Sequence, residues 1–255
     1  VNILKPTGMT SHDVVSRVRR ILNMKKVGHT GTLDPDAAGV LPICLNKATK
    51  VSELILNKEK TYICELTLGA STDTYDSSGV ITFEGDASNI TKEDIYKAFE
   101  TQRGEINQYP PIYSALKVNG KKLYELAREG KVVERKSRKV QIYDIRIKEM
   151  KLPRIRMEVS CSKGTYIRTL CNDVGEVLGV GGCMESLLRT KVSRFELKDS
   201  MKLADIEKAK NEGRTEEIIL PLDEVFVEYP KIIVTGRQAQ LAYNGNPFPK
   251  ESAKN

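Results

Sequence analysis

Residues 154–178, RIRMEVSCSKGTYIRTLCNDVGEVL, contain the two apolar periodicities that decide the fold. From Ile155 to Cys161 every second side chain is apolar, which predicts a strand with one buried face. A polar turn over 162–165 follows, and apolar residues then recur at helical spacing from Ile167 to Leu178. A strand that leads through a short turn into an amphipathic helix indicates a sheet with helices packed on it.

The sequence on both sides extends this pattern. Residues 138–148 precede the strand closely enough to form a hairpin with it. Further strands are predicted over 61–68 and 184–197, and helices over 10–22, 91–102 and 122–130. The fold class is therefore predicted to be α/β of the α+β type, with a mixed, largely antiparallel sheet flanked by helices.

Segments rich in glycine, proline and aspartate interrupt these elements. Residues 27–43, VGHTGTLDPDAAGVLPI, contain three glycines, two prolines and two aspartates, so they predict a loop. Residues 70–79 are polar and predict a turn. Beyond Pro230 a short strand over 231–235 and a helix over 237–243 are predicted, in a piece too small to have its own core.

Basic residues are clustered along the chain. The 255 residues carry a formal net charge of +7, and Lys and Arg concentrate within 17–26, 117–122 and 131–139. Basic clusters separated by folded segments are typical of a surface that follows a phosphate backbone. Charge alone leaves open both nucleic-acid binding and an ordinary solvated surface.

Cysteine and histidine usage argues against disulfides and zinc. The five cysteines form no C-x-x-C pair, and there are two histidines, so no zinc ligand spacing occurs. Reduced thiols fit a cytosolic protein. No apolar run approaches the roughly 20 residues of a membrane helix, and the first residues lack the organisation of a signal peptide. We expect a cytoplasmic protein without a metal or a membrane span.

Three residues are candidates for chemistry. Asp34 lies between glycines in the loop, where its carboxylate either reaches a substrate or forms an ordinary Asp-Pro turn. Arg168 lies at a helix start, where the macrodipole disfavours a cation, so a carboxylate or phosphate partner is one explanation and a surface position the other. Tyr62 is either a core tyrosine or a stacking platform for an unstacked base.

An alternative interpretation uses the carboxylates alone. Asp34, Asp36, Asp73 and Asp76 offer the oxygen ligands that magnesium prefers, as in a nuclease. Asp73 and Asp76 lie in a turn, where aspartates commonly bond their own backbone. Both interpretations stay open on this evidence.

Short motifs recur along the chain around the candidate residues. The first is GHTGTLDP over 28–35, continued by GVLP over 39–42 and ATK over 48–50. The others are KPTGMTS over 5–11, KTY over 60–62, LG over 68–69, TDT over 72–74, PIYSALK over 111–117 and CSKGTYIR over 161–168. This set resembles the TruB family, the tRNA pseudouridine-55 synthases. The motifs occur in family order across roughly the first 225 residues, and together they are much more specific than a single Asp-Pro.

The resemblance implies catalytic roles for three residues. Asp34 corresponds to the essential aspartate of the pseudouridine synthase fold, Tyr62 to the tyrosine that stacks on the target base, and Arg168 to the arginine that pairs with the aspartate. It also implies substrate-binding roles. His29 matches a histidine that contacts RNA, Leu188 an apolar wall of the uracil pocket, and Lys5 and Tyr166 residues that support the site.

The resemblance further implies the domain organisation and the partner. A catalytic domain spans 1–228, and 229–255 resembles the beginning of a small PUA domain, the RNA-binding module with which family members usually end. The implied reaction is isomerisation of uridine to pseudouridine at position 55 in the T stem-loop of tRNA, by a monomer, without a metal or cofactor. Alternatives are a synthase that acts on other RNA within a guide-RNA complex, and a tRNA-folding factor that does not need Asp34.

Overall fold

The structure is a computed structural model that describes residues 1–118, 120–131, 133–227 and 229–249. It forms two compact units, Val1–Thr215 and Glu216–Asn255. In the first unit, the strands are β1 (Asn2–Lys5), β2 (Val27–His29), β3 (Ala38–Leu45), β4 (Lys60–Leu68), β5 (Ala70–Thr72), β6 (Ile81–Glu84), β7 (Gly104–Gln108), β8 (Lys117–Val118), β9 (Lys121–Lys122), β10 (Arg138–Lys151), β11 (Arg154–Cys161), β12 (Gly182–Val192) and β13 (Phe195–Glu196). The helices are α1 (Ser11–Leu22), α2 (Ser52–Leu56), α3 (Lys92–Thr101), α4 (Leu123–Arg128), α5 (Ile167–Val177) and α6 (Leu203–Asn211).

A large mixed sheet runs through the first unit. Its strand order is β1-β3-β12-β4-β11-β10-β7, with β2 attached to β3 and β13 to β12. Neighbouring strands are antiparallel except β3 and β12, which run parallel where Leu188 faces Ala38 and Arg189 faces Gly39. The predicted mixed, largely antiparallel sheet with flanking helices is confirmed.

The central strand β4 has the alternation that the sequence predicts. Tyr62, Cys64, Leu66 and Leu68 are buried, and the residues between them are half-buried. Strands β11 and β12 pair with β4 on its two sides, so its backbone groups are satisfied while its apolar face packs in the core. Tyr62 therefore has a fixed position on a rigid strand.

The helices begin where the sequence predicts. At the start of α1, the Thr10 hydroxyl accepts a hydrogen bond from the Asp13 backbone N–H at 3.0 Å, and the Asp13 carboxylate accepts one from the Thr10 N–H at 2.8 Å. This reciprocal capping satisfies two N–H groups that the helix leaves free. Helix α5 buries Leu170 and Val174, and its first turn contains Arg168.

The predicted loop over 27–43 is wrong at both ends, because β2 and β3 occupy them. Strand β3 lies between β1 and β12 and is buried on both faces, so its sequence lacks the alternation of a half-buried strand. Gly39 has φ +119°, and a Cβ there would lie 2.2 Å from the Arg189 carbonyl oxygen. What remains between the two strands is residues 30–37, which we call the Asp34 loop.

Two other predictions need correction. The single strand predicted over 184–197 is a hairpin, because Ser193 adopts φ +52° and the chain reverses from β12 into β13. The predicted turn over 70–79 begins with the short strand β5, which pairs with β6.

The second unit is small. It contains helix α7 (Gly236–Tyr243), which agrees with the helix predicted over 237–243. The strand predicted over 231–235 is not formed. The predicted domains, 1–228 and 229–255, stay predictions, and residues 250–255 lie outside the described part of the chain.

Candidate active site

A cavity of about 350 Å³ lies where the Asp34 loop, α5, β4 and β12 meet. Its lining includes Asp34, Tyr62, Tyr166, Arg168 and Arg189. Residues far apart along the chain thus converge on one cavity, and the three candidates from the sequence are among them.

Arg168 is a buried cation held by two carboxylates. Its residue is 5% exposed, and Nη2 lies 3.1 Å from Asp34 Oδ2 while Nη1 lies 3.2 Å from Asp76 Oδ2. A carboxylate or phosphate partner was one of the two explanations that the sequence left open for Arg168, because a cation at a helix start opposes the macrodipole, and a surface position was the other. The two carboxylates supply the compensation that the helix does not.

Backbone carbonyls complete the coordination of Arg168. Nη1 donates to the Thr74 carbonyl oxygen at 3.1 Å, and Nη2 donates to the Tyr113 carbonyl oxygen at 2.9 Å. A planar guanidinium satisfied on both terminal nitrogens has little freedom to rotate. The edge that it presents to Asp34 is therefore fixed before any substrate binds.

Asp76 is a site residue that the sequence suggested only as a magnesium ligand. Its Oδ1 accepts hydrogen bonds from the Thr74 hydroxyl at 2.8 Å and the Ser78 hydroxyl at 2.6 Å. These contacts leave Oδ2 directed at Arg168. A surplus of aspartates in a polar turn was the available signal, but its partner lies 92 residues away in the sequence.

Asp34 is one of the residues that line the cavity, and its side chain is 42% exposed. Desolvation raises its pKa above the ordinary value of 3.8, and the Arg168 guanidinium opposes that rise. The negative charge of Asp76 also raises the pKa of Asp34. A carboxylate in this setting is more basic than one in water, and the adjacent cation favours its ionised form.

Lys5 lies behind the Asp34 loop rather than in the cavity. It is completely buried, and Nζ donates to the carbonyl oxygens of Pro6 at 2.8 Å, Pro35 at 3.1 Å and Ala37 at 2.6 Å. Burial lowers the pKa of Lys5 to about 8, and the charge of Asp34 opposes that change. Lys5 therefore holds the part of the Asp34 loop that follows Asp34, through the carbonyl oxygens of Pro35 and Ala37.

Tyr62 and Tyr166 both line the cavity. Tyr62 is 7% exposed, and desolvation raises its pKa to about 12, so the phenol stays protonated at neutral pH. The Tyr166 N–H donates to Gln108 Oε1 at 3.0 Å, and its carbonyl accepts from Gln108 Nε2 at 3.3 Å. These contacts tie the start of α5 to strand β7.

The other two predicted binding residues are not among the residues that line the cavity. His29 is on β2, and its Nδ1 accepts from the Gly31 N–H at 3.3 Å. Burial lowers the pKa of His29, which favours the neutral ring. On β12, Leu187 and Arg189 line the cavity, whereas Leu188 between them does not, since successive strand residues point to opposite faces. The structure therefore places Leu187 in the wall that the sequence assigned to Leu188.

The four aspartates of the magnesium alternative do not form one ligand set. Asp73 Oδ1 accepts from the Val80 N–H at 2.8 Å, and Asp76 faces Arg168. Among the described residues, no group of three His, Cys, Asp or Glu side chains is arranged to hold a metal ion. The described helices include none with the length and apolar character to cross a membrane.

Known protein families match most of the chain. Residues 19–167 match the N-terminal domain of TruB family pseudouridylate synthases. Residues 168–227 match the C-terminal domain described for tRNA pseudouridylate synthase B. The match includes the Asp34 loop, β4, α5 and β12, which form the cavity.

Sequence comparison with individual proteins also finds similarity to tRNA pseudouridine synthases. The chain is 54% identical over 247 residues to tRNA pseudouridine synthase B of Clostridioides difficile (strain 630), covering 96% of this chain and 82% of that protein. It is 51% identical to the protein of the same name from Alkaliphilus oremlandii (strain OhILAs), over 96% of this chain and 81% of that one.

Solved structures share the fold. A chain in a Cbf5-Nop10-Gar1 complex superposes with a TM-score of 0.75 at 30% identity, over 97% of this chain and 67% of that one. A chain in an H/ACA RNP bound to a substrate RNA that contains 2′-deoxyuridine has a TM-score of 0.76 at 26% identity, over 99% of this chain and 68% of that one. From the family match, the relatives and the shared fold, we conclude that the chain belongs to the TruB family of pseudouridylate synthases.

Proposed function

We propose that this protein isomerises uridine to pseudouridine at position 55 in the T loop of tRNA, as a cytoplasmic monomer. The observation that carries the proposal is the Asp34–Arg168 ion pair in a cavity that is also lined by Tyr62. The names of the two relatives described above support tRNA as the substrate. Neither a metal nor an organic cofactor is required by this chemistry.

The reaction exchanges one bond to the ribose for another. The bond from C1′ to uracil N1 breaks, a bond from C1′ to C5 forms, the C5 proton leaves to water and N1 gains a proton. The Asp34 carboxylate starts this exchange by attack at uracil C6, by attack at C1′ or by proton abstraction at C2′. Each route needs an ionised carboxylate, which the Arg168 charge favours.

The target base has to leave the T loop to reach the cavity. Enzymes that act on a base within structured nucleic acid extrude it, at a cost of a few kcal/mol. Stacking of the base on an aromatic side chain returns about 1–3 kcal/mol. Tyr62 is the aromatic residue of the cavity that is fixed on a central strand, so it is the platform in this proposal.

The basic clusters supply the contacts to phosphates in this proposal. Lys163, outside those clusters, is among the residues that line the cavity, and its Nζ donates to Asn57 Oδ1 at 2.9 Å. Lys121 and Lys131 have side chains that are 57% and 60% exposed. Phosphate contacts position RNA without reading its sequence, whereas the cavity recognises the extruded base. His29, on the strand that leads into the Asp34 loop, is proposed to contact RNA beside that base.

A tritium-release assay tests the proposed function. A tRNA transcript labelled with tritium at uridine C5 should release one equivalent per tRNA, because isomerisation removes that hydrogen. A transcript with cytidine in place of U55 is the control, and it should release none. Release from the control would place the reaction at another uridine, and no release from the native transcript would reject the function.

The same assay separates tRNA from guided RNA substrates. The H/ACA and Cbf5 structures are similar in fold at 26% and 30% identity, whereas the curated relatives reach 54%. We therefore expect the isolated chain to act on tRNA without guide RNA or further proteins. A requirement for a guide RNA would favour the alternative, and tight tRNA binding without turnover would favour a folding factor.

Residues 229–255 are proposed to begin a PUA-like RNA-binding domain. The support is the resemblance of this segment to the family and the helix α7 at the predicted position. A chain ending at residue 228 should bind tRNA more weakly than the 255-residue chain, and equal dissociation constants would contradict the proposal. Sedimentation equilibrium tests the oligomeric state. A monomer should give a molar mass near the 28.6 kDa of one chain, and twice that mass would show a dimer.

Asp76→Asn is expected to move the acid limb of the pH–rate profile to lower pH. The negative charge of Asp76 raises the pKa of Asp34, so removal of that charge lets Asp34 ionise at lower pH. The maximal rate should also fall about tenfold, because Arg168 loses an anchor. Single-turnover rates against pH measure both effects, with Asp73→Asn as the control, and a shift to higher pH would refute the assignment.

Tyr62→Leu is expected to reduce turnover about tenfold or more relative to Tyr62→Phe. Phenylalanine keeps the aromatic face, whereas leucine removes a stacking energy of about 1–3 kcal/mol. Both substitutions remove the hydroxyl, so the ratio between them isolates stacking. Turnover of the two variants under one set of conditions makes the comparison, and equal rates would show that Tyr62 does not stack on the base.

A further inference from the structure

We propose that Arg189 is a positioning residue of the reaction, which fixes the Asp34 loop by donating hydrogen bonds to main-chain oxygens near the start of the loop and on the strand that follows it. The catalytic part of this role rests on the proposed function, because in that function the Asp34 loop presents Asp34 to the substrate. The structural part of the proposal stands on contacts that are independent of the substrate.

Arg189 is buried without a carboxylate partner. Its residue is 1% exposed, on β12 in the middle of the sheet. Among the described residues it forms no ion pair with Asp or Glu, in contrast to Arg168. A buried guanidinium requires hydrogen-bond acceptors, because it has lost its hydration. In this protein those acceptors belong to the Asp34 loop and its edges.

The guanidinium binds the chain on both sides of Asp34. Nη2 donates to the Gly31 carbonyl oxygen at 3.1 Å and Nη1 to the Thr32 carbonyl oxygen at 3.3 Å. Nε donates to the Val40 carbonyl oxygen at 2.8 Å. A single side chain thus joins the residues just before Asp34 to the strand that follows it.

The main chain of Arg189 reinforces the same connection. Arg189 is paired with Gly39 in the parallel ladder between β12 and β3, and the contact is so close that a Cβ on Gly39 would lie 2.2 Å from the Arg189 carbonyl oxygen. Both the backbone and the side chain of this residue therefore set the position of the loop exit.

Arg189 also adjoins the base platform. Its positive charge acts on the Tyr62 phenol, where it opposes the rise in pKa that burial causes, and the residue lines the cavity with Tyr62 and Asp34. The Asp34 loop and Tyr62, the proposed stacking platform, therefore both lie against the Arg189 guanidinium. A displacement of this group would change the angle between the carboxylate and the stacked base, and misplacement by about 1 Å is enough to slow an enzyme about 100-fold.

Arg189→Lys is the sharpest test. Lysine keeps the positive charge, but its ammonium donates from one point and cannot reproduce a fork to three carbonyls. We expect kcat on tRNA to fall about 100-fold while KM changes less than about threefold, since Arg189 is 1% exposed and has almost no surface with which to contact RNA phosphates. Arg194→Lys, at an exposed position near the β12–β13 turn, is the matched control and should behave as wild type.

Hydrogen exchange tests the positioning role without RNA. In Arg189→Lys, amides within 31–40 should exchange about tenfold faster than in wild type, whereas those of β4 should not change. Because this measurement needs no substrate, it tests Arg189 even if wild type fails to isomerise tRNA, which would reject only the proposed function. Wild-type exchange in the loop together with wild-type kcat would overturn the inference.

A second variant protects the test against loss of the fold. Arg189→Gln keeps one amide donor for the carbonyls and removes the charge, so it should also accelerate exchange over 31–40. If Arg189→Lys does not fold, the proposal stands or falls on Arg189→Gln. A folded Arg189→Gln protein with wild-type loop exchange would show that the carbonyl contacts do not hold the loop.

Discussion

Asp34→Asn is expected to lower the rate of pseudouridine formation by about four orders of magnitude or more, which is about 5 kcal/mol of transition-state stabilisation. Asparagine preserves the size of the side chain but is a poor nucleophile and a poor base. All three routes open to Asp34 therefore fail together. The ion pair with Arg168 at 3.1 Å, inside the cavity, is the observation on which this expectation depends.

Single-turnover tritium release measures the effect, because it reports the chemical step separately from product release. Asp36→Asn is the matched control, since Asp36 is exposed and lies two residues away in the same loop. The control should retain the wild-type rate within about twofold. A rate for Asp34→Asn within about tenfold of wild type would remove Asp34 from the mechanism.

The melting temperature of Asp34→Asn should show that the variant is folded, so that its loss of activity reflects chemistry. The folded state raises the pKa of Asp34, so ionisation of this group opposes folding, and the stability lost appears as pH rises above the ordinary value of 3.8. Asparagine is neutral at every pH and does not have this penalty. At pH 7 the variant should melt at a temperature no lower than wild type, and the two proteins should converge at low pH.

Arg168→Lys is expected to reduce kcat by about 100- to 1000-fold. The guanidinium of Arg168 contacts Asp34, Asp76 and two backbone carbonyls at once, and a lysine ammonium cannot satisfy this arrangement. The positive charge is retained, so Asp34 stays ionised and the loss reflects orientation. The dissociation constant for tRNA should change little, because Arg168 is 5% exposed and contributes almost nothing to the protein surface.

Single-turnover rates and equilibrium binding of the same tRNA separate the two effects for Arg168→Lys. Arg146→Lys is the control, since the Arg146 side chain is 69% exposed and pairs with Asp144 on β10. Arg168→Met extends the test, because removal of the charge should raise the pKa of Asp34 further and move the acid limb upward. A change in RNA affinity as large as the change in rate would contradict a role in orientation.

Alternation of apolar and polar residues correctly predicted the strands that have one buried face. It did not predict strands that are buried on both faces. Strand β4 was identified correctly because Tyr62, Cys64, Leu66 and Leu68 share one side. Strand β3 is buried on both faces, so apolar residues occur at successive positions and show no alternation. Its glycine and proline therefore suggested a loop. The packing that buries it involves β12, about 150 residues later, and local sequence does not report such contacts.

The candidate site was predictable residue by residue but not in its geometry. Asp34, Tyr62 and Arg168 were identified through a motif resemblance, and the structure brings them together. The resemblance gave Leu188 a place in the pocket wall, whereas its neighbour Leu187 lines the cavity, because the motif alone does not say which of two adjacent strand residues points inward. Partners far apart along the chain, such as Asp76 and Arg168 at a separation of 92 residues, could be identified only from the fold.

The buried cations Lys5 and Arg189 hold the Asp34 loop through main-chain oxygens, at residues 31, 32, 35, 37 and 40. Every amino acid offers the same carbonyl, so natural variation of most loop side chains leaves these contacts intact. The constraint falls instead on dihedral angles, as at Gly31 and Gly39, with φ +141° and +119°. Saturation mutagenesis of 30–40 should therefore find many substitutions tolerated at the exposed positions 32, 35 and 36 and few at the two glycines or at the buried positions 30, 33, 37 and 40, so that this active site is inherited as a backbone path with one indispensable carboxylate.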